Sequence, residues 1–169
     1  MEHLDSGDEK IVLGIESTAH TFGVGIASSR GKILANICYT YRPSTGGIHP
    51  REASQHHSRI APKALKEALD TSGLRLSDLD GIAFSIGPGM GPCLRVGATI
   101  ARALALRSGK PLLGVNHGVA HIEIGRLVTG CRDPVVLYIA GGNTIITGYL
   151  DGRYRICLLY TSPSPRDRG

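Results

Sequence analysis

Ile11-Val12-Leu13-Gly14-Ile15, Phe22-Gly23-Val24-Gly25-Ile26-Ala27 and Ile33-Leu34-Ala35-Asn36-Ile37-Cys38-Tyr39 are three short apolar runs, separated by Glu16 to Thr21 and by Ser29-Arg30-Gly31-Lys32. Consecutive β-rich runs joined by a few turn residues pair with their neighbours, so the spacing predicts a three-stranded antiparallel meander. Beyond it the period changes. Arg42 to Pro50 reads as a loop, and Glu52 to Leu69 sets Ile60, Ala64, Leu65, Ala68 and Leu69 on one side of a helix. Gly81 to Ile86 predicts a buried strand, and Gly87-Pro88-Gly89-Met90-Gly91-Pro92 a turn into a helix from about Cys93 to Arg107. Leu112 to Val115 is a short strand, and Asn116 caps a helix that runs to about Val128. A meander that gives way to alternating helix and strand implies a mixed sheet with helices on both faces.

The opening pattern then begins again. Val135 to Ala140, a Gly141-Gly142-Asn143 turn, Thr144 to Leu150, an Asp151-Gly152 turn and Arg153 to Ile156 predict a second meander, and hence an internal duplication whose second copy has only started. Two such lobes, each with a glycine-containing hairpin turn, make up the α/β fold of the actin-like ATPases (ribonuclease H-like lobes). That likeness carries no function by itself. The expected organisation is a disordered lead over 1–9, a first lobe over 10–132, the start of a second over 133–156, and an unrelated or disordered tail over 157–169 whose Pro, Ser and Arg residues break the preceding pattern.

With 41% hydrophobic residues, the 169-residue chain holds enough apolar surface for one ordinary core and is unlike a disordered polymer. Its net charge of +5 is compatible with a phosphate-rich partner such as RNA and is also common in enzymes that bind none. Cys38, Cys93, Cys131 and Cys157 are widely spaced with no C-x-x-C, which suggests neither a zinc knuckle nor a disulfide framework and fits a reducing compartment. No run of about 18 apolar residues and no signal-like start are present, so neither a membrane span nor secretion is expected.

The chemistry-bearing residues cluster late. His117 and His121, at i and i+4 of the predicted helix, stand about 5 to 6 Å apart at Cβ, a metal-chelating spacing. At the helix start the positive end of the dipole keeps His117 neutral, as a ligand must be. Two ordinary polar helix residues would give the same spacing. Zinc proteases of the H-E-x-x-H type need a Glu after the first His, where this chain has Gly118. Tyr138 leads into the Gly141-Gly142 turn, whose backbone N–H groups suit an anion, although glycines there are also plain hairpin chemistry. A phenol and two imidazoles form a reasonable set for iron or zinc, one short of four-coordination. Glu16 closes the first strand, either as an exposed turn residue or as a carboxylate near a phosphate or its metal. Glu52, His56 and His57 read either as a helix-surface pair with a neighbour or as a substrate-facing cluster. The Gly87 to Pro92 loop is either an anion seat or a tight strand-to-helix connection.

Gly14-Ile15-Glu16-Ser17-Thr18, Gly46-Gly47-Ile48-His49-Pro50-Arg51-Glu52-Ala53, Gly87-Pro88-Gly89, Val115-Asn116-His117 to His121-Ile122-Glu123, and Leu137 to Thr144, taken in order, resemble the tRNA threonylcarbamoyladenosine transferase family. The likeness covers roughly Lys10 to Ile156, and its nearest form is the archaeal and eukaryotic catalytic subunit of the KEOPS complex, once described as an O-sialoglycoprotein endopeptidase. It implies one divalent metal ion, iron or zinc, on His117, His121 and Tyr138, with a fourth ligand, an Asp, in the remainder of the second lobe. It implies substrate binding by Tyr138, Ile139, Ala140, Gly141 and Gly142, with Ala140 standing where the family usually has Ser. The implied reaction is attack of the exocyclic amine of the adenosine beside the tRNA anticodon on threonylcarbamoyl-AMP, with AMP leaving. Implied partners are tRNA and other KEOPS subunits, a small kinase/ATPase and a small dimerising subunit, in the cytoplasm and, in a eukaryote, also the nucleus. No general base is assignable. A phosphotransferase or ATPase of the same architecture, and a non-catalytic fragment, are the competing readings.

Overall fold

The computed structural model describes residues 8–140, 143–150 and 153–161. The chain divides into two compact units, Met1–His117 and Gly118–Gly169. In the first, β1 (Ile11–Glu16), β2 (Thr21–Ser28) and β3 (Ile33–Thr40) form the expected antiparallel meander. Next come α1 (Pro50–Ser72), a short 3-10 turn (Leu76–Asp78), β4 (Gly81–Gly87), α2 (Gly91–Ser108) and β5 (Leu112–Asn116). β4 joins β1 and β5 joins β4, both in parallel, giving one mixed sheet in the order β3-β2-β1-β4-β5.

Alternation decides which face of that sheet is covered. Leu13 and Ile15 of β1 point the same way as Ile26 and Val24, their partners on β2, and Phe22 follows them. These side chains are fully or almost fully buried, with Ile82 of β4 and the alanines of α1 and α2. Each of the larger ones, Leu13, Ile15, Phe22, Val24, Ile26 and Ile82, contributes about 1.5–3 kcal/mol on removal from water, and each alanine less. The stripe Ala53, His57, Ala61, Ala64, Ala68 on α1 and the stripe Cys93, Gly97, Ala101, Ala105 on α2 are small enough to lie close to the strands. Both helices sit on the same face, where they also touch each other, so the expectation of helices on both faces is not met within this unit. The reason is compositional. The opposite face carries Gly14, Gly23 and Gly25, which offer little apolar surface to cover, and Glu16 stands on that face, paired with Gly23.

In the second unit, α3 (His117–Thr129), whose first residue closes the first unit, is followed by β6 (Val136–Ala140), β7 (Asn143–Leu150) and β8 (Arg153–Thr161), an antiparallel meander in the order β6-β7-β8. β8 runs five residues past Ile156. Leu158 pairs with Ile146, Leu159 with Ile145, Tyr160 with Thr144 and Thr161 with Asn143, so 157–161, read from sequence as tail, continue the third strand. The cause is local: Leu158 to Thr161 are apolar, aromatic and β-branched residues that suit a strand, and the bulge between Ile146 and Thr147 lets the pairing continue. Residues 1–7 of the expected lead over 1–9 and residues 162–169 of the expected tail over 157–169 lie outside the described residues. No helix among the described residues is long and apolar enough to cross a membrane.

Candidate functional site

The turn from Glu16 to His20, between β1 and β2, is held from every side by elements of the first unit. Ser17 N–H donates to Ser85 Oγ of β4 at 3.1 Å, and Thr18 N–H folds back onto Glu16 Oε1 at 2.6 Å. Met90 N–H, at the entry to α2, donates to Thr18 O at 2.6 Å, and Tyr41 N–H donates to His20 O at 2.8 Å. Two glycines permit this closeness. A Cβ on Gly89 would lie 2.5 Å from Thr18 O, and one on Gly97 would lie 2.1 Å from Ser17 Oγ. The Gly87 to Pro92 loop is therefore a tight connection clamped on the turn, the plainer of its two readings.

His57 corrects the sequence reading. It is fully buried, its ring centroid is 5.5 Å from that of Phe22, and its Nε2 lies 3.0 Å from Ala19 O. A carbonyl only accepts, so Nε2 carries the proton and donates. Burial is the main cause that pushes its pKa down, partly opposed by the bond to Ala19, and the ring is neutral. His57 supports the turn from beneath and does not face a substrate. The missed signal was its place in the buried Ala53, Ala61, Ala64, Ala68 stripe of α1. Glu52 accepts from the Tyr41 hydroxyl, which raises the tyrosine pKa, and His56 packs on the Tyr41 ring at 5.8 Å.

His117 meets the same turn from another direction. Its Nδ1 lies 3.2 Å from Glu16 Oε2 and 3.4 Å from Thr18 Oγ1, and its side chain is 22% exposed. A carboxylate only accepts, so Nδ1 is the donor in this contact. In the second unit, the ring centroids of His121 and Tyr138 are 5.9 Å apart. Tyr138 sits on β6 opposite Ile145, Ile139 opposite Thr144, and Ala140 opposite Asn143; Gly141 and Gly142 lie outside the described residues. Among the described residues no three His, Cys, Asp or Glu gather as a metal site. Two imidazoles and a phenol are a donor set that suits iron or zinc.

The family model described as TsaD, tRNA N6-adenosine threonylcarbamoyltransferase, matches residues 32–159. A protein of that name from Thermofilum pendens is 63% identical over 145 residues, covering 86% of this chain and 43% of the relative. Another from Hyperthermus butylicus is 61% identical over 151 residues, covering 88% and 42%. The chain thus spans less than half the length of these curated relatives. Among solved structures, YeaZ from Pseudomonas aeruginosa superposes with a TM-score of 0.61 at 17% identity, covering 91% of this chain and 68% of that one. The Aquifex aeolicus PPX-GPPA enzyme does so with 0.53 at 11% identity, covering 92% and 54%. At those identities the likeness bears on the fold alone, which is the actin-like, ribonuclease H-like α/β architecture expected from the sequence.

Proposed function

The chain belongs to the tRNA N6-adenosine threonylcarbamoyltransferase family, and from that membership we propose that the protein it builds transfers the threonylcarbamoyl group of threonylcarbamoyl-AMP to the exocyclic amine of the adenosine beside the tRNA anticodon. The observation that carries this reading is the family match over 32–159, a span that takes in His117, His121 and Tyr138 together. The amine nitrogen bonds to the carbamoyl carbon, the bond from that carbon to the AMP phosphate oxygen breaks, and the amine loses a proton.

In this reading His117, His121 and the Tyr138 oxygen would hold one divalent metal ion, iron or zinc. The i, i+4 spacing on α3 and the 5.9 Å approach of the His121 and Tyr138 rings support that set. When bound, the ion supplies Lewis acidity and a template for the oxygens of the substrate. Tyr138, Ile139 and Ala140 on β6, together with Gly141 and Gly142, would bind the threonylcarbamoyl-AMP. Ala140 has no hydroxyl to contribute. The positive charge of the chain favours tRNA, with further KEOPS subunits, a small kinase/ATPase and a small dimerising protein, as partners in the cytoplasm or nucleus. Residues 10–132 form the first lobe in this scheme, and 133–156, with the strand residues to 161, begin the second. An ATPase reading would place carboxylates on Mg²⁺, whereas Glu16 is engaged with Thr18 N–H and His117.

Metal content and threonylcarbamoyl-AMP binding, measured on the full-length protein and on its His117→Ala, His121→Ala double variant, test the reading. Loss of the ion and of substrate binding in the variant is the expected outcome. Full metal retention removes the ligand assignment.

A further inference from the structure

We propose that Glu16 is a positioning residue for His117: its carboxylate fixes the Nδ1–H tautomer and the ring orientation, so that Nε2 is the nitrogen offered to a metal or substrate. The proposal rests on the metal reading only for its consequence, since the geometry is contained in the first unit.

Two observations point this way. The carboxylate is itself anchored, because Oε1 accepts the N–H of Thr18 at 2.6 Å while Oε2 is left to His117 at 3.2 Å. The anchor is rigid: the turn that carries it is bonded to Ser85, Met90 and Tyr41, supported by His57, and packed against Gly89 and Gly97. Thr18 Oγ1, 3.4 Å from the same nitrogen, is a second and longer acceptor. A histidine that gives its outer N–H to a carboxylate is held in one tautomer and gains basicity at the other nitrogen, and loss of such a partner typically costs about 10–100-fold in metal affinity. In solution a neutral imidazole carries its proton on either nitrogen, so the structure assigns to Glu16 a choice that His117 does not make alone.

The test uses the full-length protein, metal-free and then titrated with Zn²⁺ and Fe²⁺. Long-range ¹⁵N–¹H NMR of the His117 ring, assigned with a His117→Gln variant, is expected to find the proton on Nδ1 in the native protein and on Nε2, or distributed over both nitrogens, in Glu16→Ala. Metal affinity, read by chelator competition, is expected to fall about 10–100-fold in Glu16→Ala. Glu16→Gln, with the same reach but one acceptor oxygen, is expected to lose less and guards against a turn that does not fold with alanine. A native Nε2–H tautomer, or a tautomer and affinity unchanged in Glu16→Ala, overturns the proposal. If the tautomer follows Glu16 while even the native protein binds neither ion, the positioning role stands and the metal reading falls.

Discussion

The two three-stranded meanders have one topology and opposite surroundings. In β1–β3, Leu13, Ile15, Phe22, Val24 and Ile26 are sealed beneath α1 and α2. In β6–β8, Leu137, Ile139, Leu150 and Ile156 remain 59–68% exposed. Period-two alternation makes a strand in both places, but burial needs a second layer, and for the first meander that layer is α1 and α2, later in the chain. The contrast is energetic as well as geometric. Phe22→Ala is expected to destabilise the protein by about 3–5 kcal/mol, and Leu137→Ala by less than about 1 kcal/mol, in equilibrium urea unfolding. Similar losses at the two positions would break the comparison.

The next effect in size sharpens it at the turn. Gly97→Ala drives a methyl group into Ser17 Oγ, whose Cβ is also only 3.0 Å from the added atom. Overpacking of this kind costs about 1–3 kcal/mol. Because Ser17 is the obstacle, Ser17→Gly in the same chain is expected to recover part of the loss, which a double-mutant cycle measures directly. Strictly additive losses would mean that α2 does not bear on the turn there.

His57 gives the same region a dependence on pH. Its folded pKa is pushed below the ordinary value of 6.5 by burial, among Glu16, His20 and His56. Below that ordinary value the unfolded chain binds the proton more readily than the folded one, so the stability contribution is present above pH 6.5 and is lost as pH falls toward the folded pKa. For one proton the slope approaches about 1.4 kcal/mol per pH unit. His57→Gln, which does not titrate, is expected to flatten that slope in unfolding experiments between pH 7 and 5.

These residues also mark how far one chain of letters can be read. The meanders, the helices and the alternation were legible because apolar period is a local property. Helix ends were less so: α1 begins at Pro50 rather than Glu52, since a proline at the first turn needs no N–H, and ends at Ser72 before the left-handed Gly73. β8 runs on to Thr161, past the strand end expected at Ile156, because the apolar and β-branched run Leu158 to Thr161 outweighs the Pro and Ser residues that follow it. What was not legible is pairing at a distance. Glu16 and His117 are 101 residues apart, and only the parallel addition of β4 and β5 to β1 brings the end of β5 beside the end of β1. His57 was misread for a related reason. Spacing names its neighbours on the helix, whereas its role is set by Ala19, on another element.

The smallest expected effect lies in the second meander. The Tyr154 hydroxyl on β8 donates to Glu123 Oε1 at 2.5 Å and accepts from Arg126 Nη1 at 3.0 Å, both on α3, while Arg126 also lies over the Tyr149 ring. Burial and then the bond to Glu123 raise the tyrosine pKa, so the hydroxyl keeps its proton at neutral pH and can make both bonds. Tyr154→Phe removes the hydroxyl and retains the ring against Tyr149, at 5.1 Å between centroids. With Glu123 half exposed and able to turn to water, the loss is expected at the lower end of the about 0.5–1.5 kcal/mol of a single hydrogen bond. Amide exchange is expected to quicken in α3 and β8 while protection in β1–β3 stays unchanged. Faster exchange throughout the first meander would show that the two sheets share one unfolding unit, and the difference in their packing would then not be a difference in their stability.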